Sequence, residues 1–355
     1  MTALADVALL RLAAQWLVGP RCATAAEAVR WMGALQAQDE RSARTAVALR
    51  TRGGTSAAVV AAMDAGEVLR SWPARGTLHL VAAEDLGWML SLTTDRLVAG
   101  AASRRAALGL EPEHLERAQH VAVEALTGGR RLLRAELVAL WEDAGLLGVP
   151  QRSYHLLWHL AQTGVVCFGP TRDGEAEVVL LAEWVRAPRV LEREEALGEW
   201  ALRYFRSHGP ATAKDLAWWT GLRAADVRAG VALAAPHLEQ VDVDGATHLM
   251  DPGTPQRLAA AREEAGGVLL LPAFDEHLLG YGERSAVLAR EHAPRVVPGG
   301  NGMFRATVVD AGQVVGTWKR GRGRAGAPGE VEAVPFTAFS PAVEAALPAL
   351  AARLP

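Results

Sequence analysis

Gln36 and Gln38 are two side-chain amides with only Ala37 between them, at the end of an apolar helical pattern. An amide does not titrate, so a site built on this pair positions, donates and accepts hydrogen bonds but carries no proton away. Such equipment suits a reaction whose leaving group already holds the charge it needs to depart. The spacing sets a condition. In an unbroken helix, side chains two apart lie about 200° around the axis, and one ligand meets only one of them. Both amides face the same way only if the chain turns extended near Ala37. Asp39 follows at once and is the competing candidate for a base. Arg41 and Arg44 then add two guanidinium groups, whose fork of donors suits phosphate oxygens.

Arg75 lies at the tip of an expected hairpin, placed to touch a phosphate or enter a groove. Thr77 and His79 alternate with Leu78 and Leu80, so the polar pair shares one strand face and is expected to point away from the core. Lys319, Arg320, Arg322 and Arg324 are separated by glycines and form the densest basic stretch, expected to be a backbone-contacting loop. Of Trp218 and Trp219, adjacent on a helix, one is expected in the core and the other partly exposed.

No metal site is expected. Asp275, Glu276 and His277 are consecutive and cannot converge on one ion without an unusual loop, and Asp275 reads as a structural hydrogen-bond acceptor. His155 and His159 have helical spacing, but the stretch between them lacks the glutamate of the metalloprotease motif. Cys22 and Cys167 make no CxxC and no disulfide framework, which predicts a reducing, cytoplasmic setting. The opening residues carry no charged leader, and no apolar run reaches the ~18 residues of a membrane span.

The 355 residues are half apolar with a formal net charge of −3, and no quarter of the chain is strongly basic. A whole-domain positive field is therefore excluded, and any polyanion partner must be held by arginines gathered on one face. Lys214 and Lys319 are the only lysines among 37 basic residues.

The elements that must carry these groups repeat. Thr24 with Glu27, and Thr212 with Asp215, have the layout of a helix-capping box, and a third short helix begins near Leu133. Longer amphipathic helices precede them, at about 4–17, 112–126 and 192–207 by the 3.6-residue period. Each group ends in a hairpin: 68–81 around Pro73–Gly76, 164–181 around Pro170–Gly174, and 238–250 around Asp244-Gly245. Helix, turn, helix, helix and hairpin is the order of a winged helix. After residue 252 strands dominate, at 268–271, 303–309 and 313–318, before a terminal helix at 338–353.

Four stretches resemble the AlkZ-like family of bacterial DNA glycosylases. They are Gln36-Ala37-Gln38, Arg75-Gly76-Thr77-Leu78-His79-Leu80, Gly209–Thr212 with Asp215–Gly221, and Leu271-Pro272-Ala273-Phe274-Asp275-Glu276. The similarity spans nearly the whole chain. It implies an α+β fold of three tandem winged-helix domains (1–90, holding the Gln-x-Gln motif, 91–187 and 188–252). A C-terminal β-rich domain, 253–355, completes it, all around a concave DNA-binding surface. A sister branch has Asp in place of the second Gln; Asp39 falls one residue late, so the chain sorts with the Gln-x-Gln branch.

The resemblance further implies a monomeric, cofactor-free, monofunctional hydrolase acting on double-stranded DNA with an N7-alkylated purine. Its implied range extends to unhooking interstrand crosslinks and to self-resistance against a genotoxin. Alkylation at N7 makes the purine cationic, so preorganised dipoles around the sugar and an oriented water suffice. Gln38 would hold the water while Gln36 orients Gln38 or contacts the sugar. Arg41, Arg44, Arg75, Thr77, His79, Lys319, Arg320 and Arg322 would contact DNA. Two other readings stand beside this one: a non-catalytic winged-helix DNA-binding protein and a drug-sequestering resistance protein. The first wants a basic recognition helix. The helical stretch 55–65 has no basic residue.

Overall fold

The computed structural model describes residues 4–321 and 330–355. Helices and antiparallel strands segregate along the chain, so the protein is α+β. It divides into two compact units, residues 1–58 with 197–355, and residues 59–196.

The first unit opens with helix Leu4–Ala14, shorter than its sequence pattern because Trp16 takes a left-handed φ of 55°. Helix Ala25–Met32 starts where the Thr24 hydroxyl accepts from Glu27 N–H, and stops at Gly33, whose φ of 76° a side chain would oppose. The two-residue strand β1 (Leu35–Gln36) follows, then helix Glu40–Leu49, capped by Asp39.

The second unit takes in most of helix Ser56–Asp64 and hairpin β2 (Val68–Ala74) and β3 (Thr77–Ala82). Helices Leu86–Gly100 and Pro112–Leu126 lead to β4 (Leu132–Leu133), helices Arg134–Asp143 and Arg152–Gln162, and hairpin β5 (Val166–Arg172) and β6 (Glu175–Leu180). Its strands lie in the order β3-β2-β5-β6-β4. Both hairpins are irregular where a proline sits, at Pro73 and Pro170, because proline has no N–H for the ladder.

Helix Arg193–His208 leads back to the first unit. Helices Ala213–Thr220 and Ala224–Ala234 come next, with hairpin β7 (Glu239–Val243) and β8 (Ala246–Met250). Three times along the chain a hairpin thus follows three or more helices. The hairpins close on Arg75-Gly76, Asp173-Gly174 and Asp244-Gly245, with positive φ at both turn residues. That is the two-residue turn whose twist matches its strands, and the first turn is tighter than Pro73–Gly76 suggested.

The four strands β9 (Val268–Leu271), β10 (Ala306–Asp310), β11 (Gln313–Arg320) and β12 (Val331–Pro335) form an antiparallel sheet ordered β12-β11-β10-β9. Alternation splits its faces. Leu271, Val309 and Val314 enter the main core with Leu12 and Leu17 of the N-terminal segment, while Leu270 and Val308 pack against Val343 of helix Pro341–Arg353. Lys319 and Arg320 are the last residues of β11, paired with Glu332 and Val331, so they belong to a strand and not to the expected loop. Arg322 and Arg324 lie outside the described residues. No helix among the described residues is long and apolar enough to cross a membrane.

Candidate active site

The condition on the two glutamines is met, because the helix before them has already ended near Gly33. The helix ends at Met32, residues 34–38 leave the helical path, and the Gln36 Nε2 donates to Gln38 Oε1 at 2.7 Å. Gln36 is buried, 6% exposed, and Gln38 is open to solvent. The pair therefore has a buried inner member that fixes an outer member open to solvent. Asp39 is spent on structure: its Oδ1 accepts from Ser42 N–H at 3.0 Å and starts the next helix.

Gln36 is held from below by Glu276. This carboxylate is completely buried. Its Oε1 accepts the Gln36 backbone N–H at 3.2 Å, and its Oε2 accepts Trp219 Nε1–H at 2.9 Å and faces His208 Nε2 at 3.3 Å. Burial pushes the His208 pKa down, against the pull of Glu276, so the ring is neutral near pH 7. Protonation on Nε2 then gives Glu276 a further donor. His208 also stacks on Tyr204, centroids 4.7 Å apart. A methyl group on Gly280 would come within 2.6 Å of both His208 Cδ2 and Glu276 O, so this position needs glycine.

Asp275, beside Glu276, is the structural acceptor its type suggested. Arg50 grips both of its oxygens at 2.9 Å, and donates to Gln15 Oε1 at 2.7 Å. Gln15 Nε2 in turn reaches Glu276 O and Tyr281 Oη, and Tyr281 donates to His208 O at 2.7 Å. Three separated stretches (Gln36-Ala37-Gln38, His208 with Trp219, and Asp275–Tyr281) are thereby tied into one buried network. His277 does not join it: its Nε2 contacts Gly312 O, and burial lowers its pKa to about 4. Among the described residues no group of three or more His, Cys, Asp or Glu is arranged to hold a metal ion.

The expected phosphate-facing residues sort unevenly. Arg41 is exposed, whereas Arg44 is engaged by Glu40 one helical turn away. Arg75 takes a φ of 51° at its turn, with Nη2 3.5 Å from His79 Nε2. Thr77 and His79 were expected to point outwards together, and the structure corrects this. Thr77 is partly exposed, but His79 is only 1% exposed and its Nδ1 meets Thr77 O at 2.8 Å. In this arrangement His79 props the turn and offers no ring edge to solvent. Lys319 pairs with Glu332 at 2.8 Å, and Arg320 reaches the Leu354 carbonyl and a terminal oxygen of Pro355. Trp219 is buried and Trp218 is 37% exposed, as adjacent helix positions require.

From the sequence alone Glu276 is weighed only as a metal ligand, and His208 is not singled out. Glu276 stood in plain view inside Leu271–Glu276, but nothing local to that stretch says that its partner is a backbone N–H some 240 positions away.

In this α+β protein a solvent-facing amide is held by a buried one, whose backbone is anchored on the buried carboxylate of Glu276. Residues 29–354 match the DNA glycosylase AlkZ-like family, and the chain belongs to that family of DNA glycosylases. It is 29% identical over 323 residues to an interstrand DNA cross-link repair glycosylase of Streptomyces sahachiroi, covering 87% of this chain and 85% of that protein. Its structure resembles that of Streptomyces sahachiroi DNA glycosylase AlkZ with a TM-score of 0.81 and 26% identity, covering 99% of this chain and 96% of that one.

Proposed function

We propose that this protein acts as a monomer on double-stranded DNA, hydrolysing the N-glycosidic bond of N7-alkylated purines and unhooking bulky or interstrand-crosslinked adducts. The 2.7 Å bond from the buried Gln36 to the exposed Gln38 carries this reading. With one lone pair of Gln38 Oε1 fixed by Gln36, the other is aimed outwards for a water. The bond between the sugar C1′ and N9 breaks with its electron pair going to N9, which neutralises the alkylated base. Water adds to C1′ and loses its proton to solvent, leaving an abasic sugar. No strong base is required, since the leaving group departs neutral. Arg41, Arg44, Lys319 and Arg320 in one unit, and Arg75 and Thr77 in the other, supply contacts to the DNA backbone.

The crosslink repair named for the Streptomyces sahachiroi relative supports the adduct class. A regulator without catalysis is disfavoured by helix Ser56–Asp64, which offers no basic side chain to a groove. The test is abasic-site formation on duplexes carrying one N7-methylguanine, a bulky N7 adduct or a crosslink. Release from at least the methylated and bulky substrates is expected; intact substrate across all three would overturn the assignment.

A further inference from the structure

A cavity of about 570 Å³ opens between the start of helix Glu40–Leu49 and the β9–β12 sheet. Arg41, Arg305, Lys319 and Arg320 line it, with Asp39 and Glu332 as its acids. Both acids are already engaged: Asp39 caps its helix, and Glu332 pairs with Lys319. Three guanidinium groups face the same space, and neither lining acid pairs with them. Arg41 has no side-chain partner among the described residues. Arg305 reaches only the Arg295 carbonyl at 3.3 Å, and Arg320 has only long contacts, 3.4 Å each, to the Leu354 carbonyl and a terminal oxygen of Pro355. The mutual repulsion is felt, for burial and the like charge of Arg41 both push the Arg320 pKa down.

Like charges gathered this way are costly unless an anion bridges them, and the guanidinium fork matches phosphate oxygens. The cavity begins at Asp39, next to Gln38. We propose that it is a phosphodiester site, in which Arg305 joins Arg41 and Arg320 on a single backbone phosphate beside the nucleotide that Gln38 engages. This rests on the reading of the chain as a duplex-DNA enzyme and adds both the site and Arg305 to it.

Two measurements on the full chain test it. In the first, binding of undamaged duplex is followed by anisotropy across a salt series for wild type, Arg41→Gln and Arg305→Gln. Each substitution should weaken binding and reduce the slope of log K against log salt, by about one at most because the phosphate is shared. Arg41 is exposed, so its variant reports even if Arg305→Gln folds poorly. In the second, a duplex carrying one cationic azasugar fixes the register while single methylphosphonates are scanned along the strand. One position should weaken wild type at least as much as Arg305→Gln does, and on that substrate Arg305→Gln should cause no further loss. Unchanged slopes in both variants, or fully additive losses at every position, would overturn the phosphate site. Failure of excision with these binding results intact would instead refute the glycosylase reading alone.

Discussion

Replacing Glu276 with Gln tests whether the buried carboxylate holds the Gln36–Gln38 segment in place. Glu276 Oε1 receives the Gln36 N–H, and Oε2 receives Trp219 and faces His208. A glutamine keeps only one oxygen. If that oxygen takes the Oε2 position, its NH₂ confronts the Gln36 N–H, and two donors meet with no acceptor. If it takes the Oε1 position, Trp219 Nε1–H is stranded instead. Either way a hydrogen bond to a charged group is lost and a buried donor is orphaned, which together cost about 2–4 kcal/mol.

At roughly 2–4 °C of melting temperature per kcal/mol for a unit of this size, the fall should be on the order of 4–16 °C. The second effect separates positioning from mere packing. With Gln36 no longer pinned, the Gln36–Gln38 bond loosens, and single-turnover excision at saturating DNA should drop about 10-fold or more, well below the variant's melting point. Trp219→Phe, which removes one donor and leaves the carboxylate facing Gln36, should lower stability with a smaller loss of rate. Differential melting and a single-turnover abasic-site assay give both readouts. A Glu276→Gln chain that melts and cleaves like wild type would refute the anchoring argument. Equal rate losses in Glu276→Gln and Trp219→Phe at matched stability would refute it too.

Other expectations follow from the same interior. Asp275→Asn breaks a bidentate pair buried on both sides and should cost about 3–5 kcal/mol, read as a lower urea midpoint. His277 is held neutral, with its pKa lowered from 6.5 to about 4. Unfolding therefore takes up a proton between those values, so its contribution is complete above pH ~6.5 and is lost as pH falls towards ~4, on the order of 3 kcal/mol in all. His277→Gln should flatten that acid limb in urea titrations, and a limb of unchanged steepness would contradict the assignment. Cys22 is buried with its thiol pushed up to about 12, and Cys167 is raised further still. Neither should react with a thiol reagent at pH 8 until the chain unfolds; rapid labelling of the native protein would contradict this.

Much of the architecture was legible because it is written locally. Thr24 and Thr212 mark helix starts, Asp244-Gly245 specifies its turn, and Leu270 and Leu271 alternate between two cores. What was misread depends on distant partners. Thr77 and His79 share a strand face by parity, yet parity does not say which residues cover that face, and His79 is buried. Lys319 and Arg320, which open a glycine-rich basic stretch, look like a loop until β12 is known, and β12 alternates too weakly in hydrophobicity to announce itself. The Gln-x-Gln pair was visible as chemistry, but its anchor joins residues 36, 208, 219 and 276, and no window of sequence contains all four. Arg305 gains its meaning only from the cavity that gathers it with Arg41 and Arg320.

The central claim is that an exposed amide, oriented by a buried one, sustains glycosidic hydrolysis. The most direct measurement is single-turnover release of N7-methylguanine by wild type, Gln38→Ala and Gln36→Ala, with DNA affinity measured in parallel. The account expects Gln38→Ala to lose on the order of 10²–10³ in rate, the cost of one preorganised hydrogen bond. Gln36→Ala should lose less, with Gln38 still present but unsteered. Release by Gln38→Ala at the wild-type rate, with equal affinity, would contradict it.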